Sequence, residues 1–270
     1  MTRPPVALTI AGSDPSGGAG IQADLKTFSA LGAYGAAVLT ALTAQSTQGV
    51  TGVHAVPPAF VREQLDTLWD DVAVDAVKIG MLSGADTVRA VTGFLRERAP
   101  QSPVVLDPVM VSTAGSRLLD DDAVESVRTM LPHVSLVTPN LAEAAVLLDA
   151  AEAVDVEGMR SQARALRDLG VPRVMLKGGH LAGDDATDLW LDGDGEQVLR
   201  QPRVATDNTH GTGCSLSSAI AALVPRSATW ADAAAAAKTW LTGALRAADD
   251  LDVGRGPGPV HHFYDVWRQS

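Results

Sequence analysis

The chain has 270 residues, 46% hydrophobic and 20% charged, enough apolar matter to bury a full core. A net charge of −11 disfavours nucleic acid or an anionic membrane as the main partner, although a local site can still hold a small anion. The single cysteine cannot form an intrachain disulfide and points to a reducing cytoplasm.

The opening MTRPPVALTIAGSD has no long apolar core and no small-residue cleavage site, so no signal peptide is expected. VALTIAG predicts a strand ending in glycine. A helix follows from about Gly20 to Leu31, stopped by Gly32. GAAVLTALTAQ reads as the next buried strand, and Phe60 to Asp70 as a helix after Pro57-Pro58. AVKIGML is a strand, Ala85 to Arg98 a helix, and PVVLDPV a strand stopped by proline. Asp122 to Leu131 is helical, and VSLVTPN is again a proline-stopped strand. Helices over Leu141–Leu148 and Val156–Leu169 precede the strand PRVMLKGG. DATDLWLDGDGEQVLRQPRV predicts a hairpin turning at 192–195. Helices from Gly213 to Leu223 and from Thr229 to Asp250 close the chain. The second is rich in alanine near Ala233, but Lys238, Arg246 and two aspartates make it a soluble helix rather than a membrane span.

This alternation predicts βαβ units, hence an α/β fold with a mostly parallel sheet and helices on both faces. No repeat, low-complexity linker or composition break is visible, so one domain over 1–270 is expected. In such sheets ligands bind beyond the carboxyl ends of the strands. Polar and glycine residues fall at those ends: Gly12-Ser13-Asp14, Gln45, Gly80-Met81, Asp107, Thr138-Pro139-Asn140 and Lys177-Gly178-Gly179-His180. Their accumulation on one rim marks it as the expected site.

Gly18-Ala19-Gly20-Ile21-Gln22-Ala23 matches G-x-G-x-x-A, but the longer loop SDPSG intervenes and the second strand ends in Gln45 rather than an acid. A flexible loop that lets a ligand approach the backbone is the better reading. No G-x-x-x-x-G-K-[ST] and no G-x-S-x-G is present. The six histidines do not cluster, and His261-His262 lack the spacing of a helical metal pair.

The segment NTHGTGC, Asn208 to Cys214, is more informative. His210-Gly211-Thr212-Gly213 offers successive unhindered backbone N–H groups where a helix begins, a place suited to phosphate or a developing oxyanion. The same position lowers a thiol's pKa, which would make Cys214 a candidate base; a buried, inert cysteine fits the local sequence equally well. Asp107 at a strand end can reach Mg²⁺ directly or through water. Glu143 sits just inside a helix start, where it can also serve the helix dipole alone. Lys177 ends an apolar strand, as a lysine answering a negative ligand would, whereas Lys238 reads as a solvated helix lysine.

ALTIAGSDPSGGAGIQADLKTFSALGAYG, VKIGML, VLDPVMV, TPNLAEAAVLL, LKGGH, NTHGTGC and GPVHHF, in this order and spacing, closely resemble the bacterial hydroxymethylpyrimidine/phosphomethylpyrimidine kinases of thiamin biosynthesis. The resemblance covers nearly the whole chain; LKGGH-like and GTGC-like pieces also recur in pyridoxal kinases. It implies a ribokinase-like α/β/α sandwich and an ATP- and Mg²⁺-dependent kinase, with a homodimer as the expected assembly. Such an enzyme phosphorylates 4-amino-5-hydroxymethyl-2-methylpyrimidine and then its monophosphate. Gln45 is then implied to read the pyrimidine edge, assisted by Asp24 and the Gly12 backbone, with Thr43, Met81 and Val109 walling the ring. Asp107 and Glu143 are implied to organise Mg²⁺ and phosphates, and Asn140, Lys177, Thr209 and Lys238 to line the nucleotide side. Gly211, Thr212, Gly213 and Cys214 would form the anion hole, with Cys214 where sugar-kinase relatives carry an aspartate base. One departure stands out: many relatives carry a lysine-containing segment after DPVMV, where this chain has Ser112-Thr113-Ala114-Gly115, with Arg117 as a possible substitute charge. Other readings are a pyridoxal or pyridoxine kinase, or a non-catalytic pyrimidine binder.

Overall fold

The computed structural model describes residues 3–110, 121–179 and 181–267. The Ser112–Gly115 segment, Arg117 and His180 lie outside the described residues. In chain order the elements are β1 (Val6–Ala11), α1 (Gly20–Ala30), β2 (Tyr34–Leu39), β3 (Ala41–Ser46), β4 (Gly49–Ala55), α2 (Pro58–Asp71), β5 (Ala76–Ile79), α3 (Ala85–Arg98) and β6 (Val104–Leu106). They continue as α4 (Asp121–Met130), β7 (Leu136–Val137), α5 (Leu141–Leu148), α6 (Val156–Asp168), β8 (Val174–Gly178), β9 (Asp185–Leu191), β10 (Glu196–Pro202), α7 (Thr212–Leu223) and α8 (Trp230–Arg246).

An eight-stranded sheet runs β10-β9-β8-β7-β6-β5-β1-β2. The six strands from β8 to β2 are parallel, and the β9–β10 hairpin adds an antiparallel edge. Strand side chains alternate between faces, and this alternation assembles two cores. On one face Leu8, Ile10, Val77, Ile79, Val104, Leu106, Val174 and Leu176 pack against Val61 and Leu65 of α2, Phe94 of α3 and Leu166 of α6. On the other, Ala7, Ala76, Val105, Leu136 and Met175 pack against Phe28 of α1, Ile220 of α7 and Ala234 of α8. The result is the three-layer α/β/α sandwich expected from the sequence.

Local chemistry sets several boundaries. The Asn140 side chain accepts from the Glu143 N–H while Glu143 Oε2 accepts from the Asn140 N–H, each at 2.8 Å, a reciprocal capping box that fixes the start of α5. Asp155 and Thr229 cap α6 and α8 in the same sense.

One element departs from the expectation. GAAVLTALTAQ is two strands rather than one. The break falls at buried Thr40, whose N–H donates to Ala11 O at 3.0 Å and whose hydroxyl donates to Met81 O at 2.6 Å. Beyond it the chain leaves the main sheet, and β3 pairs with β4 as a separate two-stranded ribbon with a register shift at Ala44/Gln45. β4 carries no readable signal because GVTGVHA is interrupted by glycine and mostly exposed, so no apolar face had to be encoded.

Candidate active site

The winding of the sheet reverses between β1, which continues to β2, and β5, which continues towards β10. A ligand crevice forms outside the carboxyl ends of the strands at such a reversal. Gly12 follows β1 and Met81 lies beyond the end of β5. A Cβ on Gly12 would stand 2.4 Å from Met81 Cε, so the thioether lies directly over the Gly12 backbone. The β3–β4 ribbon flanks this crevice. Thr43 and Gln45, two apart on one face of β3, are half-buried; the Thr43 hydroxyl lies 2.9 Å from Ser13 O and 3.2 Å from Gln45 Oε1. Gly12, Thr43, Gln45 and Met81 are thus brought together, and half-buried Val109 follows Asp107 in the next strand-end loop.

The second half of the site is the start of α7. Gly211 is its N-cap in a left-handed conformation, φ 77° and ψ 15°. A Cβ there would lie 1.8 Å from Gly18 O, so only glycine lets this turn meet the 12–20 loop. The two loops are also joined by His210 Nε2 and Asp14 Oδ2, 2.8 Å apart and buried. Asp14 further accepts from Ser16 N, Ser16 Oγ and Ala19 N. Burial opposes ionisation of Asp14, but the bonds from His210, Ser16 and Ala19 prevail and lower its pKa from 3.8 to about 2. A carboxyl depressed in the folded state contributes stability above its unfolded pKa and loses it on acidification. Asp14→Asn is therefore expected to destabilise the protein by roughly 2 kcal/mol at neutral pH, with the difference vanishing as pH falls from about 4 to 2. Urea titrations across that window check this; a pH-independent difference would place the loss in packing instead.

Next to the α7 start stands a charged cluster. Lys177 Nζ, at the end of β8, is 2.7 Å from Asp107 Oδ1 and 3.9 Å from Glu143 Oε2. Thr138 Oγ1 is 3.3 Å from Asp107 Oδ1, and Ser217 Oγ of α7 is 3.4 Å from Oδ2. A Cβ on Gly213 would lie 3.2 Å from Lys177 Nζ and 3.4 Å from Asp107 Oδ2, so the bare backbone of the first helical turn faces this pair. Burial pushes Glu143 up to about 7, helped by Asp107 and opposed by Lys177 and by the Asn140 and Met110 amides. Among the described residues no group of three or more metal-binding side chains is present. Two carboxylates beside the first turn of α7 suit Mg²⁺, which is held by one or two carboxylates plus substrate phosphates. Asn140 joins this cluster through a β-bridge to Lys177, whereas Thr209 is exposed on the loop before α7.

Three expectations need correction. Asp24 does not open onto the crevice: it is fully buried, with its oxygens taken by Lys78, Thr9 and Ser218. Lys238 is not a solvated helix lysine. It is buried and donates to Asp188 Oδ2 at 2.5 Å, while Asp188 Oδ1 accepts from Gly178 N. Lys238 thus fixes the strand end beside Lys177 from behind. The Cys214 thiol is not acidified by its helix start: burial pushes it up to about 11 against the pull of Lys78 and the Gly20 amide.

Sequence reasoning also missed residues. Lys78 was legible as a lone lysine inside the apolar strand AVKIGML, the anomaly that burial statistics flag. The segment from Val253 to His262 overlaps GPVHHF, which took part in the resemblance, but its contacts had no local signal. Thr47 Oγ1, at the β3–β4 turn, accepts from Arg255 N at 3.2 Å and Gly256 N at 3.1 Å. Gly258 N donates to Asn208 Oδ1 at 2.7 Å, and His262 Nε2 pairs with Ser215 Oγ at 3.0 Å. This strap ties the ribbon to the loop before α7 and to α7 itself.

Comparisons with known proteins fit this geometry. A family model described as phosphomethylpyrimidine kinase matches residues 14–261. The hydroxymethylpyrimidine/phosphomethylpyrimidine kinase of Escherichia coli is 54% identical over 97% of this chain and 98% of its own. That of Rhizobium meliloti is 51% identical over 97% and 98%. Among solved structures, phosphomethylpyrimidine kinase from Clostridium difficile superposes with a TM-score of 0.79 at 36% identity, covering 89% of this chain and 99% of that one. An ADP complex of Bacillus subtilis pyridoxal kinase superposes at 0.88 with 34% identity, covering 99% and 100%. The match along almost the whole length, at more than half identity to full-length curated relatives, places the chain in the phosphomethylpyrimidine kinase family.

Proposed function

We propose that this protein transfers the γ-phosphoryl group of ATP to 4-amino-5-hydroxymethyl-2-methylpyrimidine, and then phosphorylates the monophosphate to the diphosphate, for thiamin biosynthesis. The observation that carries the reading is the left-handed Gly211 cap, which sets the bare backbone of the first turn of α7, at Gly213, against the Asp107–Lys177 pair beside the Gly12–Met81 crevice. Phosphoryl transfer asks mainly for alignment and charge neutralisation. The ring lies between Met81 and Val109, with the Gln45 amide pairing a ring nitrogen and the exocyclic amine. This orients the hydroxymethyl group towards the α7 start. The backbone N–H groups of Gly211, Gly213 and Cys214 donate to the phosphoryl oxygens as charge moves onto them, while the Thr212 N–H is held by Thr209 O. Lys177 holds the nucleotide phosphates, with Asn140 and Thr209 on the same side. Asp107 and Glu143 are the residues that would hold Mg²⁺, which when bound neutralises phosphate charge and aligns the nucleotide. The protein is proposed to act as one domain over 1–270, as a cytosolic homodimer; no described helix is long and apolar enough to cross a membrane.

The thiol's high pKa gives Cys214 a testable role. If it takes the alcohol proton, the first phosphorylation gains from every rise in pH below about 11, because the thiolate fraction grows. The second acceptor is a phosphate monoester already ionised near neutral pH and needs no base. Cys214→Ala is expected to slow the first step about 10²-fold or more, to remove its alkaline rise, and to leave the second step within a few-fold. Equal losses in both steps would assign Cys214 to the shape of the anion hole.

The function itself is tested by ATP consumption with Mg²⁺ and hydroxymethylpyrimidine, its monophosphate or pyridoxal as acceptor, with products identified by mass. Formation of the pyrimidine diphosphate is the expected result. Preference for pyridoxal, the activity named for the Bacillus subtilis and Staphylococcus aureus neighbours, would overturn the substrate assignment.

A further inference from the structure

Lys78 is fully buried, and its Nζ lies 2.8 and 2.9 Å from the two oxygens of equally buried Asp24. Two hydroxyls complete the cluster: Thr9 Oγ1 of β1 and Ser218 Oγ of α7 each donate to Asp24 at 2.6 Å. Residues four apart share one face of a helix. Gly20 and Asp24 therefore stack on α1, and Cys214 and Ser218 on α7. The two helices meet where Asp24 accepts from Ser218, and one turn above, the Gly20 amide favours the ionised form of the Cys214 thiol. Lys78 enters the lower contact from β5, on the strand face shared with Ala76, and reaches towards the strand's carboxyl end. A Cβ on Gly80 would lie 2.7 Å from its Nζ.

Replacing a buried ion pair by apolar residues is often neutral or stabilising, so such a pair is a poor device for stability alone. Here it sits directly below the turn that receives the phosphoryl group. We propose that Lys78, clamped by Asp24, is a positioning residue for phosphoryl transfer: a fixed cation one helical turn beneath Cys214 that supports negative charge developing at the start of α7. The role rests on the kinase reading above. The charged groups facing Cys214 are Lys78 from β5, Asp24 from α1, Asp107 beyond β6 and Lys177 from β8. Of the influences on the thiol, the pull of Lys78 exceeds the push of either carboxylate. Burial works against the ammonium, but Asp24 and Asp107, joined by Cys214 once its thiol ionises, keep it protonated.

Because Cys214 is the only cysteine, its alkylation by iodoacetamide reports the local field without any kinase substrate. In the double variant Lys78→Gln/Asp24→Asn, which keeps hydrogen bonds but removes both charges, alkylation at one fixed alkaline pH is expected to slow by about two- to threefold, because the pull of Lys78 on the thiol exceeds the push of Asp24. The kcat of the first phosphorylation is expected to fall about 10- to 100-fold with KM little changed, as for loss of a charge felt in the transition state. Thr9→Val, which alters the cluster without changing charge, should lower thermal stability and leave the alkylation profile in place. Wild-type alkylation and kcat in the double variant would overturn the proposal and leave the pair a core element. Should the double variant not fold, the wild-type protein decides. A buried cation is poorly screened, so the alkylation midpoint should be the same at about 0.1 and 1 M salt, and a midpoint that climbs with salt would overturn the proposal. Failure of the kinase reading is seen separately, as absence of ATP-dependent product from a protein whose thiol still responds to Lys78.

Discussion

Gly211→Ala is expected to lower turnover of hydroxymethylpyrimidine by roughly 10²- to 10³-fold, the cost of misplacing donors aimed at developing charge. The backbone at 211 is left-handed, φ 77°, which for alanine costs about 1–2 kcal/mol. The larger effect is steric. The new methyl carbon would lie 1.8 Å from Gly18 O, and because that neighbour is backbone, one loop must move. The 12–20 loop carries Gly12 and Asp14 of the crevice; the other loop carries every N–H proposed to receive the phosphoryl group. Separation of the two costs alignment in both halves, so kcat should fall more than KM rises. Gly193→Ala is the control, since nothing lies within 4 Å of a Cβ there. Gly211→Ala with wild-type turnover would sink the anion-hole assignment.

Lys177→Met is the second large expectation. The ammonium stands between two buried carboxylates, 2.7 Å from Asp107 and 3.9 Å from Glu143. Without it the carboxylates face each other unscreened. Glu143, already raised to about 7 by burial, loses the neighbour that lowers it, so it rises further and is largely protonated at neutral pH. Removal of one partner from such a buried cluster is worth about 3–5 kcal/mol of stability. Turnover should fall by roughly 10²-fold or more, because a cation at the transferring phosphate is lost. The variant's loss of stability is expected to be largest above about pH 7, where Glu143 must ionise beside Asp107, and to shrink as pH falls through that value and Glu143 takes up its proton. Thermal melts at two pH values and steady-state kinetics check both parts. Unchanged turnover would remove Lys177 from the nucleotide side.

The layered architecture was legible because most parallel strands are short apolar runs and several helices carry start or stop chemistry. Asn140 with Glu143 announces α5, and the proline after β7 ends that strand. The rim was legible for a related reason. A parallel sheet sends its strand ends to one side, so polar residues after apolar runs must collect there, and Asp107, Asn140, Lys177 and the Gly12 and Gly211 turns do so.

Elsewhere tertiary contact decided. The ribbon of β3 and β4 has no buried face of its own, so its pairing depends on Thr40 reaching Ala11 and Met81 across the fold. Local sequence gave the Cys214 thiol a helix start, which favours the thiolate, but burial raised its pKa to about 11 because desolvation outweighs the helix end. Asp24 and Lys238 are charged residues on helices and read as available to ligand. Each has a buried partner from a distant strand, Lys78 and Asp188, 54 and 50 residues away. Sequence alone determined the layers, the rim and the glycine turn at 211, because those follow from residue type and short-range spacing. Which charges face the ligand and which face each other was decided only in three dimensions, where a side chain's protonation and reach depend on partners brought from elsewhere in the chain.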